Sequence, residues 1–177
     1  SAYLVDGSFN FGDLFTVSAG YLESDANYHK LEKRLSSGSS RINYSANFGF
    51  KPHEFFSENY FEMPLNFKYS RNISSPMYKT GSDIFLGTDI NSALQEDKSQ
   101  SSNIKFSTYI KTNLSNYFED NLLLSYIFDK SKINYTYARN LSSSPTIESK
   151  ILIDKKIDYS YHLTYSKNNY WEPFKKL

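Results

Sequence analysis

The sequence has no cysteine, one tryptophan, five prolines and seven glycines in 177 residues. Without cysteine there is neither a disulfide framework nor a thiolate metal site, and the absence suits an oxidising periplasmic route. No run of about 18 apolar residues occurs, so a transmembrane helix is excluded. The net charge is +1 with both signs scattered, leaving no basic stripe for nucleic acid and no acidic solvating arm. No glycine-rich loop suits a phosphate, and no serine sits in a nucleophile elbow. His29, His53 and His162 lie in unrelated contexts, and no carboxylate pair is spaced as general acid and base. Five Asn-X-Ser/Thr triplets, at Asn43, Asn72, Asn113, Asn134 and Asn140, are chance matches in an Asn/Ser-rich chain. The expectation is a protein without catalysis, cofactor or metal.

What the chain does have is aromatic alternation. Aromatics make up 18% of residues, including 16 Tyr and 14 Phe, yet mean hydropathy is -0.58. Across residues 157–166, Ile157, Tyr159, Tyr161, Leu163 and Tyr165 alternate with Asp158, Ser160, His162, Thr164 and Ser166. On a strand the first set shares one side and the second set the other. Ten residues is also the length with which a tilted strand crosses a bilayer. An aromatic face backed by a small polar face is what a transmembrane β-barrel presents to lipid and to its lumen.

The pattern recurs. Tyr3–Phe11 and Phe15–Tyr21 alternate on either side of Gly12-Asp13, as two strands or as one strand bulged at Gly12. Ile42, Tyr44, Ala46, Phe48 and Phe50 alternate with Asn43, Ser45, Asn47 and Gly49. Met63, Leu65, Phe67 and Tyr69 follow, with regular pairing expected only after Pro64, which has no N–H to donate. Further strands are expected over 104–112, over 120–129 (Leu122, Leu124, Tyr126, Phe128) and from Ile133. A loop over 140–146 then leads to a hairpin of 147–154 with 157–166. Residues 23–41 and 72–103 break the period, with short helices expected over 28–35 and around Ile90, Ala93 and Leu94. With no repeat to suggest a solenoid, the total is about eight strands in one all-β, antiparallel, up-and-down unit. A soluble meander or sandwich with one wet face alternates in the same way; strand length and tyrosine load favour the barrel. Trp171 beside Tyr170 suits either an interfacial aromatic belt or a turn anchor. Ser1 leads straight into strand-like sequence, and Trp171–Leu177 is a basic, Pro-containing linker. The chain therefore reads as an internal piece of something longer.

The order of short phrases is more specific than the period. Phe11-Gly12-Asp13-Leu14-Phe15-Thr16-Val17-Ser18-Ala19-Gly20-Tyr21 precedes Leu31-Glu32-Lys33-Arg34-Leu35. Glu54-Phe55-Phe56-Ser57-Glu58, Met63-Pro64-Leu65 and Tyr69-Ser70-Arg71-Asn72-Ile73-Ser74-Ser75-Pro76-Met77-Tyr78 come next. Asp83-Ile84, Ala93-Leu94 and finally Glu172-Pro173-Phe174-Lys175-Lys176 complete the series. This succession resembles the SprA/Sov family, the giant outer-membrane β-barrel translocon of type IX secretion, a system tied to gliding motility. The likeness is good over about 11–94, thin over 104–166 and returns at 172–176. Ser57 stands where the family's turn has proline, and Lys79-Thr80-Gly81-Ser82 replaces an Asn-Pro-Leu-Asp type of stretch, as in a divergent member.

The resemblance implies a passive channel for folded cargo leaving the periplasm, with plug and shuttle proteins at its openings and outer-membrane lipid around it. Tyr44, Phe48, Phe67, Tyr159, Tyr161 and Tyr165 would face lipid. Asn43, Ser45, Asn47, Ser160, His162 and Thr164 would face the lumen. Other readings of the same pattern are a lipopolysaccharide-assembly or TonB-dependent barrel, or a surface adhesin module.

Overall fold

Alternation becomes strand wherever a neighbour can take up the ladder. The computed structural model describes residues 2–26, 38–56, 60–79, 82–87, 90, 97–114 and 125–162. They form one eight-stranded antiparallel sheet: β1 (Ala2–Phe11), β2 (Phe15–Ser24), β3 (Ser39–Phe50), β4 (Phe61–Glu62), β5 (Leu65–Pro76), β6 (Ser99–Thr112), β7 (Ser131–Ser144) and β8 (Ile147–Tyr161). The order is β1-β2-β3-β5-β6-β7-β8, an up-and-down meander, with β4 pairing β6 beside the start of β5. We call the end holding the Gly12–Leu14 turn the lower end, and the end holding Ser24 and Ser39 the upper end.

Gly12 separates two strands rather than bulging one, and its φ of 52° is a turn conformation that costs glycine nothing. Leu14 closes that turn by donating its N–H to Phe11 O at 3.1 Å, and Lys51 N–H reaches Leu14 O at 2.8 Å. Pro64 interrupts pairing as expected, and β5 begins at Leu65. The gap at Met63 is filled by His53, held in the short 3₁₀ turn Pro52–Phe55. Its Nδ1 accepts the Met63 N–H at 3.2 Å. His53 is buried, with Nε2 3.6 Å from Glu54 Oε1, and so acts as a turn fastener.

Four expectations need correction. First, Ile147–Tyr161 is one continuous strand of 15 residues, not a hairpin. Asp154-Lys155-Lys156 reads as a turn, but it lacks the Gly or Asn that a two-residue hairpin turn requires, and it stays in register with Ala138, Tyr137 and Thr136. Second, the loop over 140–146 shrinks to Pro145-Thr146, because β7 runs to Ser144 through a register shift between Ser142 and Ser144. Third, Ser125–Asp129 is a π-helical turn instead of the end of a strand. Asp129 Oδ1 accepts the Leu114 N–H at 2.6 Å and Ser131 Oγ donates to Ile127 O at 2.5 Å, closing the β6–β7 connection. Fourth, the irregular stretches are shorter: β2 reaches Ser24 and β3 starts at Ser39, while β5 reaches Pro76 and β6 starts at Ser99. The expected helix over 28–35, together with Ala93, Leu94, Leu122, Leu124, Trp171 and the 172–176 phrase, lies outside the described residues.

The sheet has no second layer among the described residues. The only hydrophobic side chains buried there are Ala26, Ile42 and Ile90, and no large side chain is fully enclosed. Burial concentrates at the upper corner. Ser40, Ile42 and Ser75 are covered, and Ala26 N–H donates to Ser40 Oγ at 3.1 Å.

The single-strand reading of β8 is testable by amide hydrogen exchange on the intact protein. Slow exchange should continue at alternate residues through Leu152, Asp154, Lys156 and Asp158, because His162 N–H to Lys130 O sets the phase of the β7–β8 ladder. Fast exchange at both Asp154 and Lys156 would restore the hairpin.

Candidate functional site

The pleat sorts the sheet into two unlike surfaces. Register carries one face across the strands as Phe11–Phe15–Phe50–Leu65–Thr108–Tyr135–Ile157 and, one row up, as Phe9–Val17–Phe48–Phe67–Phe106–Tyr137–Lys155. The next row is Gly7–Ala19–Ala46–Tyr69–Ile104–Arg139–Ile153, from the same pairings. Rings on this face touch: Phe11 and Phe15 stack at 5.4 Å, Tyr21 meets Tyr44 at 5.4 Å and Phe106 meets Tyr135 at 6.2 Å. Such contacts help hold the face together, at about 0.5–1.5 kcal/mol each beyond area burial. They leave the face open. Phe9 is 58% exposed, Phe48 44% and Phe67 40%, values that belong to no protein core.

The opposite face is a carpet of small polar groups. Its rows include Asp6–Gly20–Ser45–Ser70–Asn103–Asn140–Leu152 and Ser8–Ser18–Asn47–Lys68–Lys105–Ala138–Asp154. Cross-strand hydrogen bonds knit it: Asn47 Nδ2 donates to Ser18 Oγ at 3.0 Å, and Asn103 Nδ2 donates to Asn140 Oδ1. Glycine keeps this surface low. A Cβ on Gly20 would stand 2.6 Å from Asp6 Oδ1 and 2.8 Å from Ser45 Oγ. A shallow depression of about 370 Å³ runs over Asn43, Ser45, Asn72, Ser101, Asn103 and Asn140. It is shallow and half open to solvent, with no enclosed pocket to grip a ligand.

Of the residues expected to face lipid, Tyr44, Phe48, Phe67, Tyr159 and Tyr161 all fall on the aromatic face, and Tyr165 lies outside the described residues. Of those expected to face a lumen, Asn43, Ser45, Asn47 and Ser160 share the polar face. His162 follows the end of β8, exposed, and Thr164 lies outside the described residues. Among the described residues no cluster of three His, Asp or Glu side chains is placed to hold a metal. The chain matches no family model, no curated protein and no solved structure.

Sequence reading missed the lysines. Lys68 stands directly across from Lys105, and Lys111 directly across from Lys132, all on the polar face. The second pair is relieved. Glu62 Oε1 lies 3.6 Å from Lys111 Nζ, and Lys132 Nζ sits 3.9 Å from the centre of the Tyr109 ring. The first pair has the uncharged Asn47 and Ala138 on its flanks, so among its described register neighbours no carboxylate offsets the repulsion between like charges. Each lysine sits at a polar-face position by parity, but their opposition follows only from register. Lys105→Gln should therefore stabilise the sheet, by about 0.2–1 kcal/mol at low ionic strength. The gain should fade as salt is raised, measured by denaturation of the intact protein. A loss of stability at low salt would mean that Lys105 has an anionic partner.

Proposed function

We propose that this chain is a stretch of wall in an outer-membrane protein-conducting channel, of the kind the SprA/Sov translocon represents. One observation carries the reading: among the described residues, a single-layer sheet whose aromatic face is open and whose reverse is polar, with Asn and Ser rows above the Lys68–Lys105 pair. Sheets in water bury such a face against a second layer. In a bilayer the aromatic face meets lipid, and the polar face borders water inside a closed barrel. A surface of Asn and Ser gives a passing protein few anchors, which suits conduction of folded cargo better than capture. No chemistry is required of it. Placement within the translocon family, and with it the plug and shuttle partners, rests on the phrase order described above.

Strand lengths agree. At about 3.3 Å per residue and a tilt near 40°, an apolar band about 25 Å tall takes roughly ten residues per strand. β1 has 10 residues and β8 has 15, so the longer strands extend past the hydrocarbon.

The two faces should answer differently to charge. Phe48→Lys in the intact protein should cost about 2–4 kcal/mol if that position lies near the bilayer midplane, and should impair assembly. Ser45→Lys, on the same strand but facing Gly20 and Ser70, should assemble normally and alter only transport. Heat-modifiable mobility of the barrel in membranes, with cargo secretion alongside, reads both effects. Normal assembly of Phe48→Lys with failure of Ser45→Lys would reverse the faces. A monodisperse 177-residue fragment, stable in water without detergent, would remove the membrane reading altogether.

A further inference from the structure

The aromatic face carries very little charge, and its charges fall on one line. Away from the register shift at Ser142–Ser144, the charged residues at aromatic-face positions of the described strands are Glu23, Arg71, Arg139 and Lys155. Glu23 pairs through Ile42 with Ile73, so Arg71 stands two residues nearer the lower end, two strands away. Arg71 pairs through Ser102 with Leu141, so Arg139 stands two residues lower again after two more strands. Arg139 pairs with Ile153, and Lys155 is two residues lower on that next strand. The line thus falls six residues over five strand steps, from β2 to β8.

A barrel in a bilayer makes that slope horizontal. With strands about 4.8 Å apart, a rise of about 3.4 Å per residue and a tilt near 40°, a line of constant height drifts by about 1.2 residues per strand. Five steps give about six residues, the observed fall.

The hand agrees as well. On an L-chain strand running upward, a residue facing the viewer turns its N–H and C=O to the right. The bonds from Lys51 N–H to Leu14 O and from His162 N–H to Lys130 O, both 2.8 Å, show that Phe48 and Tyr159 turn away from β2 and β7. Seen from the aromatic face with the upper end up, β1 is therefore on the right and β8 on the left. Barrel strands coil right-handedly and rise to the right when viewed from outside, so hydrogen-bonded rows rise to the left. A level line must then step downward from β1 to β8, as these charges do. Were the aromatic face the barrel's interior, it would have to step upward.

Burial changes across the same line on β3 and β5. Above the line the face begins to be covered by the chain itself, with Ser40, Ile42 and Ser75 less than 9% exposed. Below it, Val17, Phe48 and Phe67 are 39–44% exposed. Leu141, Ile151 and Ile153 also lie beyond the line, on the β7–β8 hairpin, and remain open.

We infer that Glu23, Arg71, Arg139 and Lys155 mark one edge of the bilayer's hydrocarbon layer, with the three cations reaching the phosphates of lipid headgroups. The upper ends of the strands then stand outside the hydrocarbon. This rests on the membrane-wall reading above and adds tilt, hand and depth to it.

Nitroxide labels on single-cysteine variants of the intact protein in phospholipid vesicles test it, with depth read from the balance of oxygen and nickel-chelate accessibility. Labels at Arg71→Cys, Arg139→Cys and Lys155→Cys should lie at one depth to within about 3 Å, the height of a single strand step. Leu141→Cys and Ile151→Cys, in the same hydrogen-bonded row as Arg71, should lie about 6 and 9 Å further out. A label at Phe67→Cys, four residues below Arg71, should read about 10 Å deeper. Equal depth for Arg71, Leu141 and Ile151, with Arg139 and Lys155 staggered, would overturn the inference while leaving the membrane wall standing. A Phe67 label open to the nickel chelate and closed to lipid-borne oxygen would overturn both.

Discussion

An apolar face that no second layer covers among the described residues is the constraint on which the rest of this structure depends. A strand that alternates Phe and Tyr with Ser and Asn makes one surface that water rejects and one that water accepts. The long strands of the meander repeat that division over the lower and middle sheet, and among the described residues burial is confined to a few side chains, most of them at the upper corner. The aromatic contacts within the face are lateral, between neighbours of the same layer. They hold the layer's texture without hiding it. Whatever the aromatic face meets must therefore come from beyond this sheet, and the proposed membrane reading assigns that place to lipid.

The edges make the same demand of the backbone. Among the described strands, β1 pairs only with β2 and β8 only with β7, so each presents an outer edge. In lipid an unpaired edge is untenable, since nothing there can accept or donate a hydrogen bond, and a barrel removes it by closing on further strands. β1 is exposed along its whole length and β8 along most of it.

How far the sequence could be read depended on how much apolar contrast each strand carried. β3 was plain, because Ile42 to Phe50 alternates strongly with Asn43 to Gly49. The upper halves of β5, β6 and β7 were not, because Ser74, Ser75, Ser101, Ser102, Ser142 and Ser143 put small polar groups on both faces and erase the period. Ladder pairing continues there without it. In β8 the error was of the opposite kind: a charged triplet, Asp154 to Lys156, looked like a turn although Ile151, Ile153, Ile157 and Tyr159 never leave phase. Register explains what neither period nor composition could reveal. The opposed lysines and the sloping line of Glu23, Arg71, Arg139 and Lys155 exist only once strands are set side by side. His53 was unreadable for a similar reason, since its partner is a backbone N–H ten residues on.

The central claim is that lipid touches one face and water the other. Labelling the intact protein in its own membrane with a lipid-phase carbene reagent and, in parallel, with aqueous hydroxyl radicals tests it most directly, residue by residue, by mass spectrometry. Carbene should mark Phe9, Val17, Phe48, Phe67 and Tyr159, while intervening peptides with Asn43, Ser70 and Ser101 should take none. Radical oxidation of the aromatic set should stay low in the membrane and rise on extraction into denaturant. Strong radical oxidation of Phe48 and Phe67 in the native membrane, with no carbene at either, would contradict the account.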